Sequence, residues 1–450
     1  MPEGMTLRSG NNQATESLCP HCLTRIPAER RLEGADVVLV KSCPEHGEFR
    51  TPVWRGQPEI SGWSRPKKTV RVGTHLASQA RGCPFDCGIC PGHRQQSCTV
   101  LIEVTGRCNL ACPYCFAAAG SPAGQDPPLA AIEQWYRIAL ERSGPHNIVQ
   151  LSGGEATLRD DLPAVIALGR ELGFPFIQLN SNGLRLAADP AYAVELKRAG
   201  LFSVFLQFDG SDDSIYRAIR GRALLAEKLT AIENCAAAGL GVVLVPTIVA
   251  GVNTEDIGAI LRLALELAPG VRGVHFQPAS YFGRHPGAPA AGDRFTLPDL
   301  MRAIEEQTSG LMRTEHFCPP GCEHPLCSFH GNFLRLPDGG LRSLTAAAAE
   351  CATENAGTGR AVAYVARQWS APAPASSCCP ANSLDAFLEN HHSNTFAVSA
   401  MAFQDVWNLD LERVQECCIH VVAPDGRMIP FCLYNLTSAD GQPLHRGNAC

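Results

Sequence analysis

Three cysteines, Cys108, Cys112 and Cys115, lie in one short segment that reads Gly-Arg-Cys-Asn-Leu-Ala-Cys-Pro-Tyr-Cys-Phe. Their C-x3-C-x2-C spacing supplies three thiolates, whereas a [4Fe-4S] cluster usually takes four cysteine ligands, so one iron would stay open. A zinc knuckle or a set of core cysteines has the same spacing. This segment, however, follows an apolar run that predicts a β-strand, and parallel α/β folds carry their chemistry at that end of a strand. The pattern therefore favours a catalytic iron-sulfur cluster.

A second motif, Ser-Gly-Gly-Glu, ends the next predicted strand and contains Gly153, Gly154 and Glu155. Two successive glycines let the backbone approach a ligand closely, and the carboxylate that follows can accept a hydrogen bond from an ammonium group. Taken alone, the motif is better explained as a strand-to-helix turn. Its position one βα unit after the cysteines reverses that preference and indicates a ligand site.

Together the two motifs resemble the signature of the radical S-adenosylmethionine (SAM) superfamily, in which an aromatic residue, here Tyr114, precedes the last cysteine. The resemblance implies that the open iron binds the amino and carboxylate groups of SAM. It also implies that one electron from the reduced cluster cleaves SAM to a 5′-deoxyadenosyl radical. Gly153, Gly154 and Glu155 would contact the cofactor, and we expect Tyr114 to do so as well.

Further cofactor or substrate contacts are expected at the ends of later predicted strands. Asn182 lies in Asn-Ser-Asn-Gly after the third strand, Asp209 in Gln-Phe-Asp-Gly after the fourth, and Gln277 at the end of the sixth. Polar groups at these positions would face the mouth of a barrel. Asn-Gly and Asp-Gly pairs are also ordinary turn formers, which is the alternative explanation for the first two.

A duplicate of the C-x3-C-x2-C spacing precedes the first predicted strand and adds a fourth thiol. Its members are Cys83, Cys87, Cys90 and Cys98. Four cysteine ligands make a closed cluster that suits electron transfer rather than SAM binding. The sequence therefore predicts an auxiliary [4Fe-4S] cluster here, with zinc as the alternative.

The N-terminal segment carries a C-P-x-C knuckle, formed by Cys19 and Cys22, and a third thiol, Cys43, about twenty residues later. His46 offers an imidazole beside Cys43. This pattern predicts a mononuclear tetrahedral site that holds rubredoxin-like iron or structural zinc. Ligation by both Cys43 and His46 would favour zinc, and a fourth cysteine would favour iron.

A third trio, Cys318, Cys322 and Cys327, predicts a second auxiliary cluster in the C-terminal part. Either Cys418 or Cys432 would complete it. Both belong to a predicted hairpin whose turn is Asp-Gly. Neighbouring residues of a strand point to opposite faces, so only one of the adjacent cysteines 417 and 418 should face a given metal.

The elements that must position these residues are six apolar runs that alternate with amphipathic helical stretches. This alternation predicts βα units and a parallel sheet, and strands so apolar should be buried on both faces. We expect an α/β fold, a partial (β/α)6 TIM-like barrel over residues 98–310, flanked by Cys-rich metal-binding regions at 1–97 and 311–450. The predicted strands are Thr99–Thr105, Asn147–Leu151, Phe176–Asn180, Ser203–Phe208, Val242–Ile248 and Gly273–Gln277.

Composition limits the possible functions. The 450 residues are 45% hydrophobic and 18% charged, which excludes disorder, and the net charge of −6 offers no basic surface for nucleic acid. No secretory signal or membrane-spanning run is apparent, so we expect a cytoplasmic protein. In a reducing compartment its 21 cysteines indicate metal-binding or catalytic thiols rather than disulfides.

Several longer segments resemble the branch of the superfamily that contains archaeal tetraether lipid synthase and a proposed pterin methyltransferase. The knuckle with Cys-Pro-Glu-His-Gly and the doubled cysteine motif are among them. The resemblance implies carbon-carbon bond formation at an unactivated C-H position, and we expect coupling of alkyl carbons, as in lipid chains. C-methylation of a pterin-like molecule is the alternative, and a non-catalytic electron-transfer or zinc-scaffold protein is the rival from another class.

The cofactors expected are one catalytic and two auxiliary [4Fe-4S] clusters, SAM, and a mononuclear iron or zinc. The expected partners are a small-molecule or lipid substrate and a low-potential electron donor such as ferredoxin or flavodoxin. Any access to a membrane would be peripheral.

Overall fold

The computed structural model describes residues 12–64, 80–144, 147–345, 366–372 and 391–447. Four cysteines without an assigned role, Cys351, Cys378, Cys379 and Cys450, lie outside the described residues. No described helix has the length and apolar character needed to cross a membrane.

The strands are β1 (Gln13–Leu18), β2 (Arg25–Glu33), β3 (Asp36–Cys43), β4 (Gly47–Trp54), β5 (Thr99–Thr105), β6 (Ile148–Gly153), β7 (Phe176–Ser181), β8 (Ser203–Gln207), β9 (Gly241–Val245), β10 (Thr247–Ile248), β11 (Val271–Pro278), β12 (Ser328–Arg335), β13 (Leu341–Ser343), β14 (Thr395–Met401), β15 (Ile419–Val422) and β16 (Met428–Pro430). The α-helices are α1 (Leu129–Ser143), α2 (Leu162–Glu171), α3 (Leu184–Ala188), α4 (Pro190–Arg198), α5 (Asp213–Arg220), α6 (Leu225–Ala237), α7 (Ile257–Glu266), α8 (Leu297–Gln307), α9 (Leu411–Gln415) and α10 (Phe431–Asn435).

The first four strands form a separate antiparallel sheet in chain order. The apolar runs Asp36–Lys41 and Glu48–Trp54 predict a strand pair, which is confirmed as its second half, β3 and β4, whereas β1 and β2 alternate charged and apolar residues too irregularly to be recognised. The buried Lys41 fixes this sheet to the C-terminal part of the chain, because its ammonium donates to the carbonyls of Leu18 and Val406. Thr51 adds a hydrogen bond to the carbonyl of Trp407.

The second sheet is built around β5, β6, β7, β8, β9 and β11, which lie side by side and parallel. These are the six predicted strands, confirmed to within about two residues at most ends. Their apolar runs are buried on both faces because helices cover one face and the other lines a cavity. The chain path through the sheet ends on two edges, so the predicted partial barrel is confirmed as an open sheet.

Two strands of the C-terminal region extend this sheet, which the sequence did not predict. β14 pairs in parallel with β11 at one side, and β15 pairs in parallel with β5 at the other. Antiparallel strands follow outward on each side, and the predicted Asp-Gly hairpin is the β15–β16 pair. The zone boundary proposed near residue 310 therefore does not divide the sheet.

The helices pack their apolar faces against the outside of the sheet. In α1 the buried residues include Ile132, Trp135, Tyr136 and Ala139, whose spacing of three or four residues gives the predicted amphipathic pattern. The helix α5 was not predicted, because its eight residues are too few for a clear helical pattern even though Ile215, Tyr216 and Ile219 are buried.

The β11–β14 contact supplies a test of how the C-terminal strand joins the sheet. A Cβ added at Gly273 would lie 2.2 Å from the carbonyl oxygen of Ala397, so we expect Gly273→Ala to lower the free energy of unfolding by about 1–3 kcal/mol. Urea titration measures this change. Gly287→Ala is the control, since no atom lies within 4 Å of the added carbon there. An equal effect of both substitutions would contradict the close pairing.

Candidate active site and metal centres

The segment after β5 brings Cys108, Cys112 and Cys115 together at the wall of a cavity of about 550 Å³. The first two are buried and the third is half-buried. Backbone hydrogen bonds hold the loop at both ends. The N–H of Cys108 donates to the carbonyl of Ser121 over 2.7 Å, and Cys115 exchanges two hydrogen bonds of 2.9 Å with Arg284. The predicted trio is therefore placed on a fixed loop at the carboxyl end of a strand.

Burial controls the protonation of these thiols. It raises the pKa of Cys108 to about 11, against a smaller lowering by the N–H of Leu110. Burial also raises the pKa of Cys112, and the Arg220 guanidinium offsets part of that rise. A metal-bound thiol is deprotonated, so iron binding must overcome the desolvation of these sulfurs. Arg220 supplies compensating positive charge.

The two glycines of the second motif allow β6 to end directly against the cysteine loop. A Cβ at Gly153 would lie 2.1 Å from the carbonyl oxygen of Thr105, and one at Gly154 would lie 2.2 Å from that of Arg107. Gly153 also has a φ of +128°, which other residues rarely adopt. Both glycines line the cavity. Their absent side chains thus serve backbone packing as well as the cofactor approach predicted from the sequence.

Glu155 is 2% exposed and its carboxylate is fixed by hydrogen bonds from this chain. One oxygen accepts from the hydroxyl groups of Thr157 and Ser181 over 2.7 and 2.8 Å, and the other accepts from the N–H of Asn182 over 2.6 Å. The carboxylate is therefore held in place at the cavity wall. Such a group is suited to accept from the ammonium of a bound amino acid without reorganising.

Of the later candidates, Asn182 and Gln277 line the cavity as predicted, and so does Tyr114. Asp209 is placed differently. It is fully buried and both its oxygens accept from Arg220 over 2.7 Å. Arg220, not Asp209, reaches the cavity, so the expectation of a direct cofactor contact at Asp209 is corrected to a role in positioning Arg220.

Two charged residues of this site were missed from the sequence. Arg220 ends α5 and also donates to the carbonyl of Tyr114 and the hydroxyl of Thr247. Lys228 is fully buried in α6, donates to the carbonyl of Asn182, and has its pKa lowered to about 8 by burial. The signal that could have found both is a basic residue on the buried face of a helix, which needs a partner.

The N-terminal sheet gathers the predicted knuckle and one further residue into a four-ligand set. The turn between β1 and β2 carries Cys19 and Cys22, and the turn between β3 and β4 carries Cys43 and His46. All four donor atoms lie within 4.8 Å of one another, with Nδ1 of His46 3.5 Å from the sulfurs of Cys19 and Cys43. Contact with His46 lowers the pKa of Cys43 to about 6.

Three thiols and an imidazole are a typical tetrahedral zinc set, so this arrangement favours zinc over rubredoxin-like iron. The sequence had left the choice open because it could not establish whether His46 joins the cysteines. The fold places His46 with the three cysteines, which answers whether it joins them.

The auxiliary motif before β5 is divided by the structure. The thiols of Cys83 and Cys87 interact, and Cys90 lies near them. Cys98 instead has its sulfur 3.1 Å from that of Cys418. Cys98, the predicted fourth ligand, therefore lies beside Cys418, 320 residues away, because β5 pairs with β15.

The C-terminal trio lies near further cysteines. Cys322 contacts Cys98, whereas Cys327 accepts hydrogen bonds from the buried guanidinium of Arg413 and lies near Cys417 and Cys432. Cys318 pairs through its backbone with His330. A second auxiliary cluster completed by Cys418 or Cys432 stays a prediction.

Comparison with known proteins agrees with this arrangement. Residues 102–264 match the model of the radical SAM superfamily, and residues 12–55 match that of the HMPTM N-terminal zinc ribbon domain. A 7,8-dihydro-6-hydroxymethylpterin dimethyltransferase from Methanocaldococcus jannaschii is 34% identical to this chain. The match covers 94% of this chain and 93% of that enzyme. This chain belongs to the radical SAM superfamily. Its membership makes it a radical SAM enzyme that uses a [4Fe-4S] cluster and SAM.

Other relatives match less than half of the chain. A GTP 3′,8-cyclase from Heliobacterium modesticaldum is 33% identical over 39% of this chain and 54% of its own. A crystal structure of Streptococcus suis SuiB bound to S-adenosylmethionine has a TM-score of 0.39 and 16% identity, over 48% of each chain.

The ribbon gives a test of metal identity. We expect the purified protein to keep about one zinc ion per chain through mild chelation, and His46→Ala to lose it, because one of four ligands is gone. Metal analysis by mass spectrometry measures both. His21→Ala is the matched control, since the His21 ring stacks on that of His46 but is not among the four ligands. Iron in place of zinc would support the rubredoxin-like alternative.

The Arg220–Asp209 pair gives a second test. Arg220→Met leaves a buried carboxylate without its partner, so unfolding free energy should fall by about 3–5 kcal/mol in urea titration. Adding Asp209→Asn should restore much of this stability. The double variant should still form 5′-deoxyadenosine about tenfold more slowly, since Cys112 has lost a charge-assisted contact. Full activity of the double variant would show that Arg220 is only structural.

Proposed function

We propose that this radical SAM enzyme transfers carbon to a reduced pterin or a closely similar heterocycle as a C-methyltransferase. The observation that carries the proposal is the similarity to the archaeal pterin dimethyltransferase, which extends through the N-terminal ribbon and both flanking regions. The residues of the cysteine loop and of the Gly-Gly-Glu motif fit a cluster and SAM. When bound, the cluster and SAM would supply a 5′-deoxyadenosyl radical, and a second molecule of SAM would supply the methyl group.

The cavity offers polar groups that a heterocycle could use. Its lining is mostly apolar, and it also carries amide side chains on several strands. The amides belong to Gln150, Asn180, Gln207 and Gln277. An amide offers both a hydrogen-bond donor and an acceptor. Donors and acceptors also alternate along the edge of a neutral heterocycle, so the two can pair.

One of these amides has an unused hydrogen-bonding atom. The amide N–H of Gln150 donates to Gln178 over 2.7 Å, and that of Asn180 points to Gln150 over 3.5 Å. The carbonyl oxygen of Asn180 is buried without a partner among the described residues. A buried acceptor of this kind is costly unless a ligand donates to it, and a ring N–H or amino group would.

Aromatic side chains lie on the same cavity wall. The rings of Phe205 and His275 are stacked with centroids 5.6 Å apart, and Trp369 meets Phe205 edge-on at 5.0 Å. A flat heterocycle can pack against such rings while its edge contacts the amides. The residues of this chain would thus bind and orient the substrate and keep water away from the reacting carbon.

The test is product analysis after anaerobic incubation with SAM, a reductant and 7,8-dihydro-6-hydroxymethylpterin. We expect a methylated pterin by mass spectrometry. Asn180→Leu should weaken pterin binding about tenfold, the effect of one buried hydrogen bond, while SAM cleavage without pterin persists. Gln57→Leu, at an exposed amide, should change neither. In a parallel arm with host lipid extract, coupled alkyl chains and no methylated pterin would support the lipid alternative.

A further inference from the structure

A row of polar side chains crosses three adjacent strands of the large sheet. Gln150 of β6 pairs with Gln178 of β7, and Gln178 pairs with Ser203 of β8. Residues at paired positions direct their side chains to the same face of a sheet, so the three groups are neighbours. Gln178 and Ser203 are buried, whereas Gln150 lines the cavity. The row therefore runs from the core to the cavity wall.

Hydrogen bonds join these side chains into a chain that ends at Asn180, two residues after Gln178 on β7. The Gln178 amide donates to the hydroxyl of Ser203 over 2.8 Å, and the Gln150 amide donates to the side-chain oxygen of Gln178 over 2.7 Å. The Asn180 amide donates to the side-chain oxygen of Gln150 over 3.5 Å. These four residues form an amide ladder. Its last atom, the side-chain oxygen of Asn180, is buried without a partner among the described residues.

The direction of these hydrogen bonds is reversible. An amide has an oxygen at one end and an NH2 group at the other, and a hydroxyl group both donates and accepts. Turning every amide over exchanges oxygen and nitrogen and leaves the positions of the heavy atoms unchanged, while the Ser203 hydroxyl becomes a donor. All three bonds are then kept. Within the described parts of the chain the four side chains make no other hydrogen bond, so nothing outside the amide ladder selects one direction.

A neighbouring amide shows what fixes a direction. The side-chain oxygen of Gln207 accepts from the ammonium of Lys228 over 3.3 Å. An ammonium only donates, so the Gln207 amide has a single favourable orientation. The amide ladder instead ends at a hydroxyl group, which serves either direction equally.

The two directions differ in what Asn180 presents at its unpartnered side. In one direction this atom is the oxygen, and in the other it is the NH2 group. Either group is unfavourable when it is buried without a partner. A ligand that supplies the missing donor or acceptor therefore selects the direction of the whole amide ladder. Because Asn180 lines the cavity, that ligand is the molecule bound there.

We propose that Asn180 recognises the edge of the substrate heterocycle either as an acceptor or as a donor, because the amide ladder behind it reverses as a unit. This recognition rests on the pterin function proposed above. A reduced pterin carries an N–H and a carbonyl side by side in its lactam, so the cavity holds this edge in two positions. Asn180 is then a binding residue, and Gln150, Gln178 and Ser203 are positioning residues.

Gln178→Glu tests the reversal from outside the cavity, since Gln178 does not line it. A carboxylate accepts from both Ser203 and Gln150, which leaves the oxygen of Asn180 on the unpartnered side. Measurements at about pH 8 keep the carboxylate ionised, because the ordinary pKa of glutamate is about 4.3. The probes are the 4-amino and the 4-methoxy analogues of 7,8-dihydro-6-hydroxymethylpterin. The first offers an N–H at the lactam edge and the second offers only acceptors.

Isothermal titration calorimetry measures the two dissociation constants in the full chain. For the wild-type protein we expect them to lie within about threefold of each other, since the amide ladder adapts to each analogue. Gln178→Glu should bind the 4-amino analogue about tenfold more tightly than the 4-methoxy analogue, the effect of one buried hydrogen bond. Asn180→Asp presents an oxygen directly and gives the full size of this preference. Gln57→Glu is the matched control at an exposed amide and should keep the wild-type ratio.

The outcomes separate the amide ladder from the function. A changed ratio in Asn180→Asp with an unchanged ratio in Gln178→Glu would overturn the reversal. A wild-type preference as large as that of Asn180→Asp would overturn it too, because the direction would be fixed. An unchanged ratio in both variants would overturn the contact of Asn180 with the lactam edge. Wild-type protein that binds 7,8-dihydro-6-hydroxymethylpterin but neither analogue would overturn this recognition alone, whereas failure to bind the pterin itself would overturn the proposed function and this recognition with it.

Discussion

The backbone pairing of β5 between β6 and β15 is the interaction on which the chemistry of this protein depends. β6 brings Gly153 and Gly154 against the cysteine loop at one end of β5. β15 brings Cys418 against Cys98 at the other end. A shift of β6 along β5 would therefore move the glycines away from the cysteine loop, and a shift of β15 would separate Cys418 from Cys98.

Buried charge is the second constraint. A site rich in thiols becomes negatively charged when it binds metal, and the fold places arginines where that charge develops. Arg220 faces Cys112 while held by Asp209, and Arg413 faces Cys327 while held by the carbonyls of Leu326 and Ala402. Each guanidinium is buried, so its position is set before any metal arrives.

The sequence predicted the central strands well because they are apolar on both faces and separated by helices of ordinary length. The sequence also identified the SAM motif and the ribbon cysteines, because the ligands of each lie at a short, regular spacing along the chain. It failed where ligands come from distant parts of the chain. Spacing suggested that Cys98 belongs with Cys90, but sheet register gives it Cys418 as a neighbour. Asp209 matched a turn pattern, whereas Arg220, which lines the cavity, lies on a helix of eight residues that is too short to be recognised.

The order in which parts of the protein can fold during translation follows from the same pairing. The ribbon ligands lie between residues 19 and 46, so that fold can close early during translation. Cys98 and Cys418 are separated by 320 residues, and β5 stays without one neighbour until β15 has emerged from the ribosome. Contacts of such high sequence separation form slowly. The contact of Cys98 with Cys418 therefore forms only in the finished chain, whereas the ribbon can close before it.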